Sequence, residues 1–158
     1  KYVQKFCKKK KINGIILRLY QVYGPHQSNN RFIPIVIKKC LINQYYECHD
    51  RGVYRDFLYI DDLLNLFIKI IDKDSFSSVS GKIFNVGYGK PFDLSLVAKK
   101  IKKLCGGGTQ SSKKIKLRID EPKVIYPDIS RIKRVFKWKP RIKFSNGLKK
   151  TINFFDNK

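Results

Sequence analysis

The chain has 158 residues, 35 of them lysine or arginine against 12 acidic ones, for a formal net charge of +23. Apolar residues make up 42% and are spread along the length, which excludes a wholly disordered polymer and allows one domain with a real core. No apolar run approaches the roughly 18 residues a membrane helix needs, and no signal peptide is visible, so neither a membrane partner nor a secretory route is expected.

A basic excess of this size raises nucleic acid as a partner. The lysines are scattered, however, among many Ile, Asn, Tyr and Phe residues, and no nucleic-acid motif stands out. The same profile suits a coding sequence biased toward A and T. The expectation is no specific nucleic-acid partner, with weak, salt-sensitive adhesion to polyanions whatever the function. Methionine is absent even at position 1, and the chain opens inside a helix-like stretch. It reads as a fragment, a trimmed chain or an incomplete reading frame. Cys7, Cys40, Cys48 and Cys105 lie far apart, with no CxxC and with His26 and His49 isolated. This pattern predicts free thiols in a reducing cytoplasm and no metal site.

In chain order, residues 1–11 read as the last turns of a helix stopped by Asn13-Gly14. Ile15–Tyr20 is an apolar run of strand length, as in a buried parallel strand. A Gly-, Pro- and Asn-rich loop follows. "RFIPIVIKKCL" predicts a helix if Pro34 falls in its first turn. "YYECHD" predicts a short strand. "YRDFLYI" predicts a second one, with Asp61 capping the deeply packed helix "DLLNLFIKII". Residues 73–80 predict a polar loop, and "GKIFNVG" a strand ending at Gly87. "DLSLVAKKIKKL" predicts an amphipathic helix capped by Asp93, with Leu94, Val97, Ile101 and Leu104 on one face. "GGGTQSS" predicts the most mobile loop, and "KIKLRI" a strand. A short helix from Asp128 should bury Ile129, Ile132 and Phe136. A last helix, capped by Ser145, should bury Leu148, Ile152 and Phe155. Strands alternating with helices predict an α/β fold.

The order of the motifs is more specific than any one of them. "LRLYQVYGP" (17–25), "RFIPIVIKK" (31–39), "YRDFLYIDDL" (54–63), "KIFNVGYGKPFDL" (82–94), "RIDEPKVIYPDISRIKRVFKWKP" (118–140) and "GLKKTINFF" (147–155) occur in one line. This series resembles the C-terminal half of an NAD-dependent nucleotide-sugar epimerase/dehydratase of the extended short-chain dehydrogenase/reductases. The resemblance covers nearly the whole chain. It implies a partial Rossmann-type parallel sheet, made of the C-terminal strands, with a small α/β substrate-binding subdomain. Residues 1–158 would be the substrate-binding half, with the N-terminal NAD-binding part absent. The family's GxxGxxG loop, where glycines let a helix N-terminus approach the pyrophosphate, is not in the chain. Nor is its YxxxK pair, whose lysine would fall just before Lys1. No catalytic residue is assigned.

The resemblance implies roles for the residues that match. A nucleotide-diphosphate sugar needs fixed cations at its diphosphate, and arginine's planar fork supplies paired donors. Arg55 and Arg118 match the family's clamp; the plain alternative for Arg55 is a surface pair with Asp56 or Asp61. Asp56 should point away from Arg55 and fix the local backbone, and Asp62 should sit in the positive first turn of its helix. Arg31 and Phe32 would lie against phosphates or base, with Phe32 alternatively in the core. Gln21 stands where the family usually has asparagine, keeping the amide with one more methylene. Glu121 would lie near ribose hydroxyls or the arginine. Leu19, Val22 and Tyr23 would face the nicotinamide side of the cleft, or simply pack. Trp138 and Pro140 resemble the family's "GWxP" turn. His26 and His49 match no catalytic position and are expected at the surface.

The leading expectation is therefore the nucleotide-sugar-binding portion of an NAD-dependent epimerase/dehydratase, inactive alone, whose full-length form is a homodimer. Two alternatives stand beside it: a stand-alone nucleotide or nucleotide-sugar binding module, and a basic nucleic-acid-binding protein. An isolated parallel strand at Ile15–Tyr20 would also leave apolar surface and an open edge, so partial instability or association is expected.

Overall fold

The computed structural model describes residues 2–49, 51–72 and 76–157. Lys1, Asp50 and residues 73–75 of the expected polar loop lie outside them. The first helix, α1 (Tyr2–Lys10), buries none of its residues. The chain then enters β1 (Ile16–Leu19), parallel to β6 (Ile83–Val86) with Ile16 opposite Ile83. At Tyr20, whose N–H donates to the Val86 carbonyl at 2.9 Å, the chain changes neighbours. It continues as β2 (Gln21–Tyr23), parallel to β5 (Phe57–Tyr59). One run of sequence thus serves two parallel pairs.

The expected strand at "YRDFLYI" is split at Asp56. Before it, β4 (Tyr54–Arg55) is the middle strand of a separate sheet, antiparallel to β7 (Phe92–Asp93) and parallel to β9 (Val124–Ile125). After it, β5 joins β2. The Asp56 carboxylate accepts from the backbone N–H groups of Tyr88, Gly89 and Lys90 at 2.8, 2.7 and 3.2 Å. It fixes the backbone, as the alternation predicts. Burial nevertheless pushes its carboxyl up, against the pull of those donors.

Pro34 is the third residue of α2 (Phe32–Leu41), inside the first turn. The helix α3 (Ile60–Ile71) begins at Ile60, not at an Asp61 cap, and its N-cap, Tyr59, makes no side-chain cap bond. Asp61 is exposed in the first turn and reaches Lys150 at 3.3 Å. Asp62 is buried and accepts from the backbone N–H of Arg141 and Ile142 at 2.9 and 3.1 Å. Nor is α3 packed all round. Leu63, Leu66 and Ile70 are buried, but Leu64, Ile68 and Ile71 are 51%, 58% and 80% exposed.

The prediction for α4 (Leu94–Cys105) holds: Asp93 caps it by accepting from Leu96 N–H, and Gly106 closes it in the left-handed region at φ 75°. The mobile loop expected after it is a strand instead. Gly108 N–H donates to Asn43 Oδ1 at 2.9 Å, and β8 (Thr109–Lys114) runs parallel to β3 (Tyr45–Cys48). The strand expected at "KIKLRI" therefore ends where it was to begin, and residues 115–118 are irregular. The short helix α5 (Ser130–Phe136) buries Ile132 and Phe136. The last helix, α6 (Phe144–Asp156), starts before Ser145, which lies inside it rather than capping it, and Phe155 is only partly buried.

Two cores result. One gathers α2, β3, α4 and α6 around an aromatic cluster in which Phe57 and Phe144 stack at 5.8 Å and Tyr23 meets Phe144 at 5.4 Å. The other lies between the β1–β6 pair and helices α3 and α5, with Phe84 against Phe136 at 5.2 Å. Among the described residues no helix is long and apolar enough to cross a membrane.

Candidate functional site

A cleft of about 250 Å³ opens between α2, the strands β2, β3 and β4, and the irregular segment after β8. Four residues singled out from the sequence line it together: Gln21, Phe32, Arg55 and Glu121. Gln21 comes from the exposed start of β2 and Phe32 from the first turn of α2. Ile35, one turn on, extends the apolar wall.

Arg55 is only 5% exposed, so its charge must be partnered. One guanidinium nitrogen donates to the carbonyls of Tyr54 and Lys123 at 2.8 and 3.1 Å. The other donates to Glu121 Oε1 in a close ion pair. The surface pair with Asp56 or Asp61 is not what the structure shows. The Arg55 hydrogen bond, more than any other influence, holds the Glu121 carboxyl below its usual range. Two carbonyls thus fix the arginine, while a partly exposed acid occupies the face it turns to the cleft.

Other expected residues lie elsewhere. Arg118 is exposed and does not line the cleft; its carbonyl accepts from Glu121 N–H at 3.0 Å. Arg31 is exposed at the N-cap of α2. On the cofactor side, Leu19 is 47% exposed at the end of β1, and Val22 packs partly buried against the sheet-side core. The Tyr23 side chain is 2% exposed, and its hydroxyl donates to the Phe144 carbonyl at 3.1 Å. Burial drives that hydroxyl's pKa far up, and its ring packs against Phe57, Tyr59 and Phe144. The expectation of a nicotinamide contact through this ring gives way to its place in the core.

Ile35, Glu47, His49, Leu94 and Ile115 also line the cleft without having been expected there, and His49 bears most on its chemistry. His49 follows β3, is half-buried in the cleft, and carries a buried Nδ1 with no hydrogen-bond partner among the described residues. It adds to the lowering of the Glu121 carboxyl. The surface role expected for it does not hold; an isolated histidine in sequence carries no signal of a neighbour such as Glu121. His26 is at the surface, its ring 4.4 Å from Phe154.

The chain thus presents an α/β fold with a parallel Rossmann-type pair of strands and a cleft built on one buried arginine. The model of the "NAD dependent epimerase/dehydratase family" matches residues 1–87, and the chain belongs to that family. The chain is 34% identical over 144 residues to a CDP-abequose synthase of Salmonella muenchen, covering 88% of this chain and 47% of that protein. It is 27% identical over 160 residues to a dTDP-D-glucose 4,6-dehydratase of Mus musculus, covering 98% and 44%. The chain spans about half the length of the curated relatives it matches. Among solved structures, a UDP-glucuronic acid 4-epimerase of Bacillus cereus, complexed with a fluorinated UDP-sugar and NAD, superposes with a TM-score of 0.86 at 24% identity, over 98% of this chain and 49% of that one. A UDP-glucose 4-epimerase of Thermotoga maritima, with UDP-glucose, gives 0.84 at 22% identity, over 99% and 50%. These likenesses show the fold.

The residues present do not by themselves fit NAD. The chain has no GxxGxxG turn, and of the three expected cofactor-side residues only Leu19 offers an exposed side chain. Among the described residues no His, Cys, Asp and Glu group could hold a metal ion.

Proposed function

We propose that residues 1–158 form the substrate-binding half of an NAD-dependent enzyme acting on a nucleotide-diphosphate sugar, an epimerase or dehydratase, and that this half does not turn over alone. The observation that carries the reading is the convergence of Gln21, Phe32, Arg55 and Glu121 on one cleft. Arg55 would bind the diphosphate. Its orientation is already fixed by two carbonyls, so little ordering is needed on binding. The incoming phosphates would displace Glu121, which would then be free to accept from ribose hydroxyls. Phe32 and Ile35 supply an apolar wall for a base, and the Gln21 amide a donor and an acceptor for the sugar. In the whole enzyme, NAD would supply hydride exchange with the sugar carbon. We infer a cytoplasmic homodimer for that enzyme; the widely spaced cysteines, with free thiols at Cys7, Cys40 and Cys105, support a reducing compartment.

The test is calorimetric titration of the chain with UDP-glucose, UDP-glucuronic acid and dTDP-glucose. Binding of at least one is expected. Arg55→Lys, which keeps the charge but loses the fork, should weaken it roughly tenfold, the worth of one charge-assisted hydrogen bond. Arg55→Ala should abolish it. If no sugar nucleotide binds, or if Arg55→Ala binds as tightly as the natural chain, the reading fails.

A further inference from the structure

A second hollow, of about 200 Å³, lies on the other core and shares no residue with the Arg55 cleft. Lys69, Lys133, Lys137, Lys139 and Arg141 converge on it, with Asn65 beside them. Among the described residues no carboxylate lines it. Like charges gathered on one concave surface repel, and a low-dielectric wall sharpens their field. Part of the gathering has an ordinary cause: Lys69 and Lys133 sit in the last turns of α3 and α5, where the helix dipole favours cations. Lys133 also helps hold the exposed Asp128 carboxyl below its usual range, from outside the hollow.

Helix dipoles do not explain Lys139 and Arg141, which belong to the turn after α5. The fold itself holds that turn in place. Trp138, which floors the hollow and is 2% exposed, donates its ring N–H to the Asp62 carbonyl at 3.0 Å. The buried Asp62 carboxylate grips the backbone N–H groups of Arg141 and Ile142. Lys137 leaves α5 in the left-handed region at φ 47°. An acid therefore fixes the turn from behind, through backbone atoms, and its carboxylate takes no part in pairing the cations in front.

We propose that this hollow is an anion site for a short phosphate chain, free or carried by a nucleotide. Its volume suits a compact multiply charged group and is too small to seat a nucleic-acid duplex. Lysines supply point charges from several directions, Arg141 supplies a fork, and the Asn65 amide adds a hydrogen bond. The inference is independent of the sugar-nucleotide reading, because the two sites share no residue.

The experiment is calorimetric titration of the full chain with pyrophosphate, and separately with ADP, at physiological ionic strength. Saturable binding of pyrophosphate is expected with excess UDP-glucose present to occupy the Arg55 cleft. It should fall at least roughly tenfold in Lys133→Glu/Lys139→Glu, as loss of a charge-assisted contact gives. Lys133→Gln/Lys139→Gln, which keeps side-chain bulk, should weaken it in the same direction if the charge-reversed variant folds poorly. ADP binding with the same sensitivity to the double variants supports a site that reads the phosphate chain in either carrier. The proposal is overturned if pyrophosphate gives only weak multi-site adhesion that both double variants leave unchanged. It is equally overturned if ADP or an RNA oligonucleotide binds while pyrophosphate does not.

Discussion

The two cores are finished to different degrees. The aromatic core closes on itself: Tyr23, Phe57 and Phe144 meet from β2, β5 and α6, and the Tyr23 hydroxyl finds its acceptor inside the cluster. The aromatic side exposes Ile42, Tyr45 and Leu96 outside that closed interior, and the sheet side exposes apolar residues on three further elements. Leu19 on β1, the outer face of α3, and Tyr2, Val3 and Phe6 on α1 are all exposed. Folding of this chain should therefore be anchored on the aromatic side, while the sheet side sets its tendency to associate. Two buried aspartates join the halves. Asp56 ties the β4–β5 junction to the turn after β6, and Asp62 ties α3 to the turn before α6.

The sharpest break of this contrast is Phe144→Ala. Removing that ring from a closed cluster should cost about 3–5 kcal/mol in denaturant unfolding. If the cost is below about 1 kcal/mol, the aromatic core is not the anchor. Next comes Asp56→Ala, which removes a buried carboxylate from three backbone donors in a partly buried turn and should cost about 2 kcal/mol by the same measurement. A smaller effect belongs to Asp93. Burial pushes its carboxyl up, but hydrogen bonds from Gly52 N–H, the Ser95 hydroxyl and Leu96 N–H outweigh burial and bring it below the usual range. Asp93→Ala should cost about 1 kcal/mol. Since the folded value lies below the unfolded one, the stability Asp93 contributes is present above the unfolded range and is lost as pH falls through the folded value. Asp93→Asn should flatten that limb of an acid-unfolding curve. The mildest change is on the open side. Ile71→Lys should alter stability by no more than about 0.5 kcal/mol yet reduce self-association in sedimentation. An unchanged association constant would mean that α3 is not the adhesive face.

Locally encoded features were the legible ones. The Asp93 cap, the face of α4 and the place of Pro34 follow from neighbours in sequence. The strand β8 was hidden because Thr109–Lys114 is polar and pairs through its backbone with β3, so it shows neither apolar run nor alternation. Ser145 and Asp61 have cap chemistry, but Phe144 and Ile60 enter their helices first, since tertiary packing outweighs a cap preference. The second apolar face of α3 was visible as composition, yet sequence could not say that it lies open. In the cleft, Arg55 and Glu121 are 66 positions apart, and only the ordered motif series pointed to both. His49 had no such series behind it.

The turn at Tyr88, Gly89 and Lys90 points three successive N–H groups at one spot, the backbone concavity that elsewhere receives phosphate. Here Asp56 is the occupant. The protein carries its own carboxylate for that nest, so the three donors of the "GYGK" turn are spent on holding the fold together rather than on a ligand.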